Sequence, residues 1–196
     1  MNNDVTAGST ITTLGHLALG ITLLFFGLGH TEVIDGVTAA DAVGLATYVG
    51  GIALFIAGLF AFRDRDIVTG TAFTGFGALW FAWGAMAGDW GVTAGSALSD
   101  NAAGLFFLLF ALVALSLTLG AAARGPLAQG VYGLFFVALV LLAISSFADN
   151  EALGKVGGWF AVAGGAVAWY TATAFLAHWP TALPRRAAGR RMTAPG

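Results

Sequence analysis

The chain has no cysteine, which excludes disulfides, thiolate metal ligands and thiol nucleophiles. Charge is nearly as scarce: only 9% of its 196 residues are Asp, Glu, Lys or Arg, against about 25% in an ordinary soluble domain. With 58% hydrophobic residues and a mean hydropathy of +0.86, such a chain lacks the groups to cover itself in water. It reads as an integral membrane protein. The opening MNNDVTAGSTITT has none of the positive charge that precedes the apolar core of a cleaved signal peptide, so the first apolar run is expected to stay in the mature protein. Also absent are a phosphate-cradling glycine loop, a nucleophile–base pair and any spacing of metal ligands. The expectation is therefore a protein that is not an enzyme, with no cofactor, metal or nucleic-acid partner.

What the chain does have is six long apolar runs, at about 11–28, 42–62, 68–87, 102–122, 127–147 and 156–179. Two of them form a hairpin over Gly50 to Gly84, hinged on Arg63-Asp64-Arg65-Asp66. At roughly 1.5 Å per residue, arms of about twenty residues cross a hydrocarbon core of about 30 Å. Runs such as LFFLLFALVALSLTLG do not alternate as the strands of a membrane barrel would. The fold class expected is thus an all-α membrane protein, one six-helix transmembrane domain over 1–196 with a short basic tail at 180–196.

Arg63, Arg65, Arg124, Arg185, Arg186, Arg190 and Arg191 fall in loops or tail on one side, and Lys155 alone on the other with Glu32, Asp35, Asp41, Asp89, Asp100, Asp149 and Glu151. Lysine and arginine mark cytoplasmic loops, so both termini are expected in the cytoplasm and the chain in the cell inner (plasma) membrane. Trp90, Trp159 and Trp179 sit at span ends, where amphipathic rings rest among headgroups.

Glycines recur at an interval of seven: Gly20 and Gly27, Gly51 and Gly58, Gly77 and Gly84, Gly157 and Gly164, Gly158 and Gly165. Seven residues are almost two full helical turns, so each pair makes a flat stripe along which backbones can approach in lipid. Spans one, two, three and six are expected to pack tightly. The fourth, with Phe106, Phe107, Leu108, Leu109 and Phe110, is expected to face lipid or another subunit. Gly77-Ala78-Leu79-Trp80 and Gly165-Ala166-Val167-Ala168-Trp169 suggest a faint repeat of three spans, which chance explains equally well.

No acid, lysine or arginine falls inside a span so drawn, which disfavours a strongly coupled ion pump and favours passage of neutral or briefly neutralised molecules. His16 is the one histidine placed within a span, His30 and His178 sitting at span ends. Two readings stand for it: a proton relay or gate, or an imidazole bonded to a carbonyl or water at the interface. Among the hydroxyls, Thr71 and Thr74 share a helical face and are expected on a polar path with equal weight given to simple bonding of their own helix carbonyls.

The run Gly50-Gly51-Ile52-Ala53, Ala57-Gly58-Leu59, Thr71-Ala72-Phe73-Thr74, Phe76-Gly77 and Trp80 resembles helices two and three of the acetate uptake transporter family (YaaH-like, succinate-acetate permeases). Weaker similarity extends to Leu14-Gly15 and Gly20, to Gln129 with Leu142-Ala143-Ile144, and to Gly158-Trp159. The resemblance implies a homo-oligomer, a hexamer, in which each protomer passes short carboxylates, with protons as a possible co-substrate, through its own pore. It implies a pore constriction at Leu19, Phe76 and Phe135, and a substrate path along Thr13, Leu14, Gly15, Thr22, Thr71 and Thr74. The family's N-P-A-P-L-G stands here as Thr10-Ile11-Thr12-Thr13-Leu14-Gly15, keeping two residues of six. Leu54, Ala61 and Asp66 replace a glutamine, a glutamate and an asparagine, and Phe76 replaces a tyrosine. The function expected is a transporter or channel for short monocarboxylates such as acetate. A pore for a small neutral solute, or a membrane scaffold or sensor that transports nothing, is the alternative.

Overall fold

Helix α1 runs over Gly8–Thr31, α2 over Ala39–Arg63, α3 over Ile67–Ala87, α4 over Asp100–Gly120, α5 over Pro126–Ala148 and α6 over Glu151–Leu176. They come from a computed structural model that describes residues 8–87 and 99–178. Asp89, Trp90, Trp179 and the basic tail lie outside the described residues. Five of the six helices are long and apolar enough to cross a membrane. The remaining one, α3, has 21 residues and so a comparable length, but its glycines and threonines dilute its apolar character. The chain is a multi-pass, all-α membrane protein.

Local chemistry sets the helix ends. Ser99 accepts from the N–H of Ala102, and Asp100 in the first turn complements the α4 dipole. Pro126 opens α5, where a missing N–H costs nothing. Asn150 accepts from the N–H of Leu153 and starts α6 at Glu151, five residues before the expected 156. This cap corrects the expectation of helices free of charge, since Lys155 lies in the second turn of α6. There it reaches the helix end and pairs with Glu32 at 2.9 Å.

Around the bundle each helix packs on its neighbours in sequence, and α6 returns to α1, closing a ring. The glycine stripes make the close crossings. A Cβ on Gly20 would stand 3.0 Å from the Gly165 carbonyl oxygen, and one on Gly27 would stand 2.7 Å from that of Gly158. These pairs run in opposite order along the chain, so α1 and α6 are antiparallel. Gly157 and Gly164, about 100° around α6 from Gly158 and Gly165, face α5 instead, at Ala138, Leu141, Val131 and Leu134. Gly58 meets Thr74 while Gly77 meets the backbone of Phe55, which locks α2 to α3. The expected tight packing of spans one, two, three and six is what the structure has. Helix α4 buries Phe107, Ala111, Ala114 and Leu117 and leaves Leu105, Leu108, Leu109, Leu112 and Leu119 exposed on the outside.

Two features were not foreseen. Helix α2 begins with a 3₁₀ turn at Ala39–Ala42 and widens to π geometry over Ala46–Ala53 before turning regular at Leu54. The π segment contains Gly50, whose missing Cβ leaves space for the Trp80 indole and the Thr22 methyl. The suggested repeat of spans three and six also finds no support in the environment of its tryptophans, because Trp80 is fully buried and Trp169 is 45% exposed.

Candidate functional site

The interior of the helix ring is filled by a continuous line of aromatic side chains. Phe26 of α1 lies edge-on to Trp80 and Trp83 of α3, with ring centroids 4.9 and 5.2 Å away. Trp80 stacks on Phe135 of α5 at 5.7 Å, Phe135 meets Phe76 edge-on at 5.0 Å, and Phe76 meets Tyr132 at 5.8 Å. Leu19 and Leu23 of α1 and Leu139 of α5 belong to the same buried cluster. Leu19, Phe76 and Phe135, the residues the resemblance assigns to a constriction, have no exposed surface at all. Phe76 and Phe135 are in ring contact.

Toward the end that holds Arg63, Arg65 and Arg124, the line gives way to a cavity of about 570 Å³. Thr12, Thr13 and His16 of α1, Thr171 and Phe175 of α6, and the Asp64, Asp66 and Arg124 loops line it. Arg124 grips Asp66 in a two-pronged ion pair, at 2.6 and 2.8 Å, and donates a further hydrogen bond to the Thr69 hydroxyl at 3.0 Å. Burial pushes the Asp66 carboxyl up, but hydrogen bonds from Arg124 and Thr69 and the guanidinium charge outweigh it and hold the group below its ordinary value. What the pair contributes is therefore present above the unfolded pKa of about 3.9 and lost as pH falls through the lower folded value. With side chains 38% and 25% exposed, that contribution is at most about 1 kcal/mol.

His16 closes the inner end of the cavity on α1. Its ring lies edge-on to Phe73 at 5.2 Å and is 4% exposed. Nδ1 donates to the carbonyl of Thr12 at 2.8 Å, while Nε2 is buried with no hydrogen-bond partner. A buried polar atom left unpaired costs about 1–3 kcal/mol.

The other expected path residues separate into two groups. Thr13 lines the cavity, Thr22 is fully buried and bonds the Ala18 carbonyl, and Gly15 gives its Cβ space to the Phe73 ring. Leu14, by contrast, is 53% exposed, and Thr71 is exposed as well, so both lie on the outer surface of the chain. Thr74 is half-buried, bonds the Gly70 carbonyl and packs on Gly58 between α2 and α3, away from the aromatic line. These three lie outside the aromatic line and not along it as expected, because the face of α3 that looks inward is that of Phe73, Phe76 and Trp80.

Trp80, Tyr132 and the Asp66–Arg124 pair were missed. Helical spacing could have found the first two, since Trp80 is four residues after Phe76 and Tyr132 three before Phe135. Tyr132 also brings a phenol beside Phe76, from α5 where the resemblance led one to expect it from α3. Nothing in the spacing relates Asp66 to Arg124, 58 residues apart.

Comparison with known proteins agrees with this architecture. The solved structure of the bacterial acetate channel SatP superposes with a TM-score of 0.79 over 86% of this chain and 92% of its own, at 24% sequence identity, a likeness that speaks for the fold. The glyoxylate pathway regulator of Yarrowia lipolytica is 33% identical over 73 residues, 37% of this chain. That match spans 27% of the yeast protein's length. A family model for the GPR1/FUN34/yaaH family matches residues 7–182, which takes in the whole helix ring and its cavity. The chain belongs to the GPR1/FUN34/yaaH family, the acetate uptake transporters that its second and third helices resemble.

Proposed function

We propose that this protein is a channel or transporter for short monocarboxylates such as acetate, whose passage runs inside the helix ring and is linked to protons at an apolar constriction of Leu19, Phe76 and Phe135. The observation that carries the reading is the buried aromatic line inside the ring, with Phe76 and Phe135 in contact, beside a cavity lined by Thr13, His16, Asp66 and Arg124. Rings of apolar side chains obstruct a pore by excluding water from a short segment. Thr13 and Thr22 supply polarity on either side of that segment. SatP, which shares the fold, is described as an acetate channel. One observation favours a pore for a neutral solute instead, namely that the Arg124 guanidinium at the cavity is already engaged by Asp66.

Uptake of labelled acetate into liposomes holding the purified protein, against ammonia, urea and glycerol, tests the proposal. Acetate flux that rises as external pH falls toward the acid's own pKa is the expected result. Flux of the neutral solutes alone would transfer the reading to them, and no flux of any would leave a scaffold or sensor.

We further propose the inner membrane with both termini cytoplasmic. Arg63, Arg65, Arg124, the start of α1 and the end of α6 share one end of the bundle, which supports this orientation. Single cysteines at Asp35 and Asp149, in a chain with none of its own, should label from outside intact cells, and labelling of neither would overturn the topology. The exposed outer face of α4 supports a homo-oligomer, a hexamer by family resemblance. Native mass spectrometry in mild detergent should show six copies, and a monomer in every detergent would refute the assembly.

A further inference from the structure

The unpartnered Nε2 of His16 is a buried polar atom that neither the fold nor the constriction uses. Its chemistry is fixed by the other ring nitrogen. Because Nδ1 sits 2.8 Å from the Thr12 carbonyl oxygen, which only accepts, Nδ1 must carry the hydrogen. In the neutral ring Nε2 is then a bare lone pair, able to accept a hydrogen bond and unable to donate one. No carboxylate pairs with this ring among the described residues, and an ion buried without a partner is costly, so the ring is neutral.

Position makes this atom relevant to passage. His16 and Phe73 lie three residues before Leu19 and Phe76 respectively, one helical turn closer to the arginine-bearing end. His16 is therefore the first side chain of α1 with a polar group between the apolar segment and the cavity. The charges around it do not favour an anion. Asp64 and Asp66 come from the loop between α2 and α3, and Arg124 from the turn between α4 and α5, where it is spent on Asp66. The cavity residues of α6 are uncharged, Tyr132 of α5 is a neutral phenol beside Phe76, and Arg63 and Arg65 are exposed and do not line the cavity. The lining thus carries one cation against two acids.

We infer that His16 selects the protonated form of the substrate: the hydroxyl of a neutral carboxylic acid donates to Nε2 at the inner end of the cavity, whereas a carboxylate, which only accepts, finds no hydrogen on Nε2. This deepens the transport reading and rests on it for the identity of the acid. It predicts a ligand that is the acid and not its anion, at a residue outside the apolar constriction.

The test uses the full chain in lipid nanodiscs with ¹⁵N-labelled histidine, the His16 resonances being assigned by their loss in His16→Leu. Sodium acetate is titrated at several pH values, with sodium chloride titrations at the same pH values to remove the effect of pH alone. The His16 Nε2 resonance should respond to acetate, and the apparent Kd for total acetate should rise about tenfold for each pH unit above the acid's pKa. An apparent Kd that does not change with pH, or a site that follows the carboxylate, overturns the inference. So does no response at all, which would leave Nε2 to a resident water. Acetate flux measured on the same preparation separates this from the transport reading. Flux without a His16 response overturns the inference alone, whereas a His16 response without flux upholds the site and refutes transport.

Discussion

Replacing Gly158 by alanine should destabilise the bundle severely, and replacing it by valine should abolish folded protein. A Cβ there would stand 2.8 Å from the Gly27 carbonyl oxygen and 3.0 Å from the His30 Cβ. The crossing is reciprocal, because a Cβ on Gly27 meets the Gly158 carbonyl oxygen and the Val162 amide at 2.7 Å. The nearest obstacle on either side is backbone, which cannot swing aside as a side chain would, so the methyl is accommodated only by parting α1 from α6. Overpacking a well-filled site costs about 1–3 kcal/mol and occasionally more, and a backbone obstacle belongs at the upper end. In lipid that separation also forfeits the close packing that holds helices together, with no hydrophobic exclusion to replace it. Gly130 is the control. A Cβ on it meets nothing within 4 Å, so Gly130→Ala should be neutral or stabilising by up to about 1 kcal/mol. Thermal unfolding in detergent, followed by size-exclusion profile, compares the three variants with the parent. A Gly158→Ala protein as stable as Gly130→Ala would show that the stripe is not a crossing point.

That contrast marks what could be read from sequence. The interval of seven between glycines was visible and meaningful, because close approach of backbones needs small residues at a fixed helical phase, and residue spacing records phase. The spans were visible because bilayer thickness sets helix length. Which face of each helix looks inward was much harder to read. Helices apolar on all sides carry no polar stripe to reveal their orientation. The shared face of Thr71 and Thr74 is visible in the sequence, but only the fold shows that it is Phe73, Phe76 and Trp80 that look inward. Long-range polar pairs were equally hidden. Arg124 stood as a topology signal and Asp66 as a departure from the family's asparagine, and only the fold shows that the two are partners. The early start of α6 has a local signal in Asn150 followed by Glu151, an N-cap and an acidic first turn, which the apolar pattern beginning at Val156 does not carry.

Phe76→Ala is expected to convert a pH-dependent, selective passage into a leak. In the parent, Phe76 is fully buried, 5.0 Å from the Phe135 ring and 5.8 Å from that of Tyr132, so an ion crossing this level has no room to keep its water. Stripping water from an unpaired carboxylate costs at least several kcal/mol, and each 1.4 kcal/mol, roughly, is tenfold in rate. The protonated acid avoids that cost, so flux through the parent should climb as external pH falls and the acid fraction grows. Alanine removes the ring on one side of the Phe76–Phe135 contact and lets water into the segment. The anion then crosses hydrated, flux at neutral pH rises by at least about tenfold, and the dependence on pH flattens together with discrimination among acids. The same substitution also removes a buried aromatic, at a cost of about 3–5 kcal/mol in packing. Lower folded yield is therefore expected on either view and decides nothing. Selectivity and pH profile measured at matched amounts of folded protein do decide. A Phe76→Ala protein with the parent's pH profile and only a lower melting temperature would show that Phe76 fills the core and does not gate the passage.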